Sequence, residues 1–81
     1  MWFVYILRCE DESLYTGSTN DLEKRLSAHK SGKGARYTRS HRVVECAYSE
    51  SCGTRGQALS REAAIKKLSR AKKLELIEMS A

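Results

Sequence analysis

Trp2-Phe3-Val4-Tyr5-Ile6-Leu7-Arg8-Cys9 is followed by Glu10-Asp11-Glu12-Ser13 and then by Leu14-Tyr15-Thr16-Gly17. The first stretch is rich in aromatic and β-branched residues and reads as a buried strand. The acidic stretch reads as a polar turn, and Leu14 to Gly17 as a second short strand, so the two form a hairpin. Side chains alternate between faces along a strand, and residues opposed across a hairpin share a face. A regular four-residue loop over Glu10–Ser13 places Tyr5 and Tyr15 on opposite faces. A loop with an odd number of residues, or a bulge, places them on one face. Any cooperation between the two tyrosines therefore depends on the turn.

Downstream, Asn20-Asp21-Leu22-Glu23 resembles a capping box that opens a helix, and Leu22, Leu26 and His29 recur on one helical stripe. Ser31-Gly32-Lys33-Gly34 ends that helix. Residues 33–42 read as a loop carrying Lys33, Arg36, Arg39 and Arg42 without an acidic residue. Val43 to Tyr48 is a third strand candidate, broken by Gly53. Thr54-Arg55-Gly56-Gln57 is a second capping-box pattern, and a long helix is expected from there through about Leu68 or beyond. Leu74 to Met79 either continues it or forms a short terminal helix. The order β-β-α-β-α points to a small sheet with helices packed on it.

Composition narrows the function classes. The 81 residues suit one domain over residues 1–81, near the lower end of what folds unaided. Fifteen Lys and Arg against ten Asp and Glu give a formal net charge of +5, which favours polyanionic partners such as nucleic acid or an anionic membrane surface. Met1 to Leu7 is too short for a signal peptide core and lacks a preceding basic region. No run approaches the roughly 20 apolar residues of a membrane span. Cys9, Cys46 and Cys52 are odd in number and lack CxxC spacing, and neither His29 nor His41 adjoins a Cys pair, which disfavours both a disulfide framework and a structural zinc. The cysteines read as small buried hydrophobes in a reducing, cytoplasmic setting.

Several residues could carry chemistry. Tyr5 could hold and deprotonate a water, but a free phenol has a pKa of about 10 and would need positive charge nearby; the competing reading is ordinary core packing with the hydroxyl tied to a partner. Tyr15 could orient the same water or a phosphate. Gly17 suits close approach of a backbone or phosphate, or simply ends a strand. Arg25 and His29 are i, i+4 on one helix and share a face. Arg25 could grip a phosphate, and His29 could donate to it or shuttle a proton; alternatively Arg25 pairs with Asp21 on the surface. Glu62 is the only acidic residue between Glu50 and Glu75. Helical spacing puts it one turn from Leu59 and one from Ile65, where a carboxylate could bind a hard cation or pair with Lys66. Residues 61–73 also hold Arg61, Lys66, Lys67, Arg70, Lys72 and Lys73, a candidate phosphate-tracking surface together with the 33–42 segment. Tyr37 could stack on a base or pin that segment.

Phe3-Val4-Tyr5, Tyr15-Thr16-Gly17, Arg25, His29 and Glu62 stand in the order and spacing of the GIY-YIG nucleases, and the chain resembles the stand-alone, single-domain members of that family from about residue 2 to residue 73. The resemblance implies an α/β (α+β) fold with a small three-stranded antiparallel sheet flanked by helices. It implies a metal-dependent endonuclease acting on DNA rather than RNA, with no membrane partner. It implies catalytic roles for Tyr5, Tyr15, Arg25, His29 and Glu62, with Glu62 holding Mg²⁺ or Mn²⁺; beside it, the charge pattern and local chemistry suggest contacts to phosphate or nucleic acid from Gly17, Ser18, Lys33, Arg36, Tyr37, Arg39, Lys66, Lys67 and Arg70. Two departures stand out: the motif centres are Val4 and Thr16, and an asparagine found near the end of some family domains has no counterpart in the 70s. A non-catalytic nucleic-acid-binding module and a protein-interaction domain with a decayed site are the alternatives.

Overall fold

A hairpin with a three-residue loop organises the chain. The computed structural model describes residues 1–80, the Thr38 side chain aside. Strands β1 (Trp2–Cys9) and β2 (Leu14–Thr19) pair antiparallel, with Tyr5 opposite Gly17 and Leu7 opposite Tyr15. The Cys9 N–H donates to the Ser13 carbonyl at 2.9 Å, so only Glu10, Asp11 and Glu12 lie in the loop. Glu12 adopts φ 68°, the left-handed residue that closes three-residue hairpins. The expected four-residue turn is thus one residue shorter, because Ser13 still belongs to the ladder. Tyr5, Leu7, Tyr15 and Gly17 consequently share one face.

Strand β3 (Val43–Cys52) pairs antiparallel with the other edge of β1, giving the order β2-β1-β3. It runs past the expected Tyr48 to Cys52, and the chain bends at Gly53. Register shifts between Ile6 and Leu7 and between Arg8 and Cys9 interrupt the β1–β3 pairing. Their effect is visible in the packing: Tyr48 packs with Val4 and Ile6 on one face, whereas Cys46, two residues away, packs with Leu7 and Tyr5 on the other. A bulge re-aims side chains in this way.

Both faces of β1 are covered, which explains its nearly unbroken apolar run. On one face lie α1 (Leu22–Lys30) and α2 (Arg36–Ser40), with Leu22, Leu26 and Tyr37 packed against Tyr5, Leu7, Cys9 and Val43. On the other lie α3 (Arg55–Lys66) and α4 (Arg70–Met79), with Ala58, Ile65, Leu76 and Ile77 packed around Val4, Ile6 and Tyr48. The result is an α+β arrangement in which a three-stranded antiparallel sheet is sandwiched between two helical layers. No helix among the described residues is long and apolar enough to cross a membrane.

Local chemistry sets the helix ends and corrects four expectations. Helix α1 is capped by Asp21, whose carboxylate accepts from the Lys24 N–H at 3.1 Å, one residue later than the Asn20-to-Glu23 pattern suggests. Residues 33–42 are not all loop, since α2 forms within them and is held down by Tyr37. Helix α3 is capped by Thr54, which accepts from the Gln57 N–H, while the Gln57 amide oxygen accepts from the Gly53 N–H at 2.9 Å rather than from the cap itself. The long helix expected through Leu68 is two helices: Ser69 caps α4 by accepting from the Lys72 N–H at 3.2 Å, and the chain turns at Lys67–Leu68.

Thr16, at the centre of the second motif, is 2% exposed and lies opposite Ile6. Its hydroxyl finds no hydrogen-bond partner among the described residues. An unsatisfied buried hydroxyl costs about 1–3 kcal/mol, and an isosteric apolar replacement removes that cost. Thr16→Val is therefore expected to stabilise the chain by about 1 kcal/mol, read as a higher midpoint in urea or thermal unfolding.

Candidate active site

Gly17 is where the site begins. Its φ is not positive, so space rather than backbone freedom is what it provides. A Cβ there would lie 2.5 Å from Tyr5 Oη and 2.7 Å from Tyr5 Cζ. The Tyr5 ring therefore crosses over Gly17, and its Oη reaches His29 Nε2 on α1 at 2.9 Å. Gly34 provides the matching space on the far side, since a Cβ there would lie 2.3 Å from His29 Nδ1. Two glycines thus bracket one buried Tyr–His bond. The sequence reading treated Gly34 only as a helix terminator; its spacing five residues after His29 is the signal that could have flagged it.

Tyr5 and His29 are each 1% exposed. Burial, with a smaller contribution from the Arg25 guanidinium, pushes the His29 pKa down, so the ring is neutral near pH 7. Burial pushes the Tyr5 phenol up, and Arg25 beside it opposes that rise. A neutral imidazole with its proton on Nδ1 accepts the phenolic proton at Nε2. Sequence reasoning offered His29 as a donor to the phosphate or as a proton shuttle; the structure places its Nε2 on Tyr5 Oη in the core. Half-buried Arg25 is positioned one helical turn before His29, and no ion pair with Asp21 forms among the described residues.

The aromatic contacts continue outward. Tyr15 packs 5.2 Å from the His29 ring and 5.8 Å from Tyr37, and Tyr37 stacks on His41 at 4.0 Å with an interplanar angle of 5°. With neighbours on both sides, Tyr37 pins α2 to the hairpin. His41 completes the pin, its Nδ1 lying 3.0 Å from the Tyr37 carbonyl and its Nε2 3.6 Å from Asp11.

Glu62 arrives from the opposite face of the sheet. It sits on the inward stripe of α3 between buried Ala58 and Ile65, while Leu59, expected to flank it, is 46% exposed. Its Oε1 accepts from Ser18 Oγ at 2.5 Å and its Oε2 pairs with Lys66 Nζ at 2.7 Å. Burial raises the Glu62 pKa, but the hydrogen bonds from Lys66 and Ser18 outweigh it and hold the carboxyl below its ordinary range. Gly17 lies under Tyr5 and the adjacent Ser18 holds Glu62, so the outer edge of β2 joins groups from both faces.

The other expected contacts divide. Ser18 orients Glu62, and Lys66 neutralises it. Arg70 donates to the Glu12 carbonyl. Lys33, Arg36, Arg39 and Lys67 are exposed and form no ion pair among the described residues. Among the described residues no three His, Cys, Asp or Glu side chains converge. The donor set at Glu62 is one ionised carboxylate, 17% exposed. That fits a hard cation which keeps most of its water shell and shares phosphate oxygens, provided that Lys66 yields Oε2.

Gly17→Ala is expected to drive the Tyr5 ring off His29 and to cost about 1–3 kcal/mol, as overpacking does. Denaturant midpoints and the loss of the Tyr5–His29 coupling in NMR spectra check it. The pH dependence has a defined sign. Because the folded His29 pKa lies below the unfolded value of about 6.5, the unfolded chain binds the extra proton first, and stability falls as pH drops below about 6.5. Urea midpoints between neutral and acidic pH should show this decline, and the decline should be shallower in His29→Gln.

The family model of the GIY-YIG catalytic domain matches residues 1–75. The UPF0213 protein CPE1444 of Clostridium perfringens is 56% identical over 77 residues, covering 95% of this chain and 83% of the relative. The UPF0213 protein SSP2268 of Staphylococcus saprophyticus is 49% identical, covering 93% of this chain and 92% of that one. Among solved structures, the solution NMR structure of the UPF0213 protein BH0048 from Bacillus halodurans aligns with a TM-score of 0.58 at 41% identity, covering 98% of this chain and 85% of that one. That of EF2693 from E. faecalis aligns at 0.63 and 40% identity, covering 95% and 82%. With its two tyrosine motifs meeting across one hairpin and its Arg and Glu brought to the same sheet edge, the chain belongs to the GIY-YIG family, a family of nucleases.

Proposed function

We propose that this chain is a divalent-metal-dependent endonuclease that hydrolyses phosphodiester bonds in DNA, in preference to RNA. One observation carries the reading: neighbouring residues of one edge strand, Gly17 and Ser18, seat a Tyr–His pair on one face and an ionised carboxylate on the other. An ionised Glu at the inward stripe of a helix costs desolvation, and neither packing nor a surface ion pair requires it there.

In this reading Arg25 holds the scissile phosphate through its forked donors and is drawn off Tyr5 as it does so, opening the phenol to water. Tyr5 takes the proton of the attacking water as its own proton passes to His29 Nε2, and Tyr15 orients the water. The relay suits a neutral imidazole and a phenol that burial keeps protonated. Ser18 fixes the rotamer of Glu62, which would hold Mg²⁺ or Mn²⁺ once Lys66 moves aside. Bound there, the cation supplies Lewis-acid charge beside the leaving oxygen. The net positive charge suits a polyanionic substrate, and three free thiols suit a reducing, cytoplasmic compartment.

Cleavage of single-stranded, duplex and branched DNA in Mg²⁺ or Mn²⁺, abolished by EDTA, is the expected result. Glu62→Ala and Arg25→Ala should each lower the rate by at least about 100-fold, as loss of a group that stabilises developing charge does. Undiminished cleavage by both variants sinks the site assignment. Salt-sensitive DNA binding without turnover in any metal favours a binding module instead.

A further inference from the structure

Beside the reaction centre, on the hairpin side, Arg70 and Lys73 of α4 line a surface depression together with Ser13, Leu14 and Tyr37. It adjoins the candidate site through three links. Leu14 precedes Tyr15, Tyr37 stacks on Tyr15, and Lys66, one turn beyond Glu62, is near enough to Lys73 to act on its charge. We propose that this depression binds a second backbone phosphate of the same nucleic-acid strand, next to the one held at Arg25. The inference rests on the nucleic-acid reading above and adds a subsite to it.

The charge balance supports it. Glu62 neutralises Lys66, and Glu12 is bonded to Arg8. Neither Arg70 nor Lys73 forms an ion pair among the described residues, and Arg70 spends one of its N–H groups on an uncharged carbonyl. Lys73 is half-buried, and its ammonium is disfavoured first by burial and then by Lys66. Two cations held in a depression without a carboxylate are a standing electrostatic cost, which an anion relieves. The anchoring of Arg70 to the Glu12 carbonyl fixes the guanidinium on the hairpin, leaving its remaining donors for a phosphate. The Tyr37 hydroxyl has no hydrogen-bond partner among the described residues, and Leu14 offers an apolar wall for a sugar. The Ser13 hydroxyl is already committed to Asp11 at 2.6 Å and is not a ligand donor. A depression with two cations, a phenol and an apolar wall suits a phosphodiester.

The test is binding without turnover. The full chain is titrated in EDTA with a short oligothymidylate, and separately with inorganic phosphate, with amide shifts followed by NMR. Shifts at Leu14, Tyr37 and Lys73 are expected with the oligonucleotide. Lys73→Met should weaken binding about three- to tenfold and reduce the slope of log affinity against log salt by about 0.7, the share of one single-strand phosphate. Arg70→Gln should act in the same direction, whereas Lys72→Met, which removes a cation paired with Glu75, should leave the slope unchanged. Shifts confined to Tyr5, Gly17 and Glu62, or an unchanged slope in both Lys73→Met and Arg70→Gln, overturn the subsite. Shifts with inorganic phosphate but not with the strand also overturn it. A chain that binds through Lys73 yet cuts nothing in Mg²⁺ or Mn²⁺ keeps the subsite and refutes the nuclease reading, so the two failures are separable.

Discussion

The hydrogen bond between Tyr5 and His29 is the interaction on which the rest of the arrangement depends. It ties the central strand to α1 in the core, and it needs an empty volume on each side, at Gly17 and at Gly34. The burial that comes with it sets the protonation of both partners. Removed from water, a phenol keeps its proton and an imidazole sheds its own, while Arg25 lowers both pKa values, easing release of the phenolic proton and keeping the imidazole neutral. A structural bond and a proton relay have the same geometry here, which is why packing and catalysis were competing readings of Tyr5 that a sequence could not separate.

Glu62 shows the opposite economy. It occupies a helix position that burial would assign to an apolar side chain, and it remains ionised because Ser18 and Lys66 supply hydrogen bonds and positive charge. The pair with Lys66 was the bland reading of this residue, and it exists. The bond to Ser18 is what that reading lacks: a contact across 44 positions in sequence that fixes the carboxylate beside the β2 edge. The edge strand is the natural meeting place, since it alone lets groups from both helical layers approach one another without passing through the sheet.

Much of this was legible in residue order. Aromatic and β-branched runs marked the strands, Asp21 and Thr54 lay within capping patterns, and the Leu22–Leu26–His29 stripe faced the core as its period required. The errors share one origin. A helix turn over Arg36–Ser40 was hidden because its stability comes from Tyr37 packing between Tyr15 and His41, not from propensity. The break at Ser69 was hidden because one serine in a basic run is as consistent with a helix surface as with a cap.

Periodicity, capping chemistry and motif spacing are local, so the sequence by itself determined the three strands, the first helix and the start of the third, the family and the short list of candidates Tyr5, Tyr15, Arg25, His29 and Glu62. Which of those side chains meet was decided by the tertiary structure. A three-residue loop put both tyrosines on one face, two register shifts sent Tyr48 and Cys46 to opposite faces, and helix packing carried Glu62 around to Ser18. The first two turn on a single-residue change of register, and because side chains alternate with a period of two, a slip of one residue reverses the face; the third is a long-range contact that no local pattern encodes.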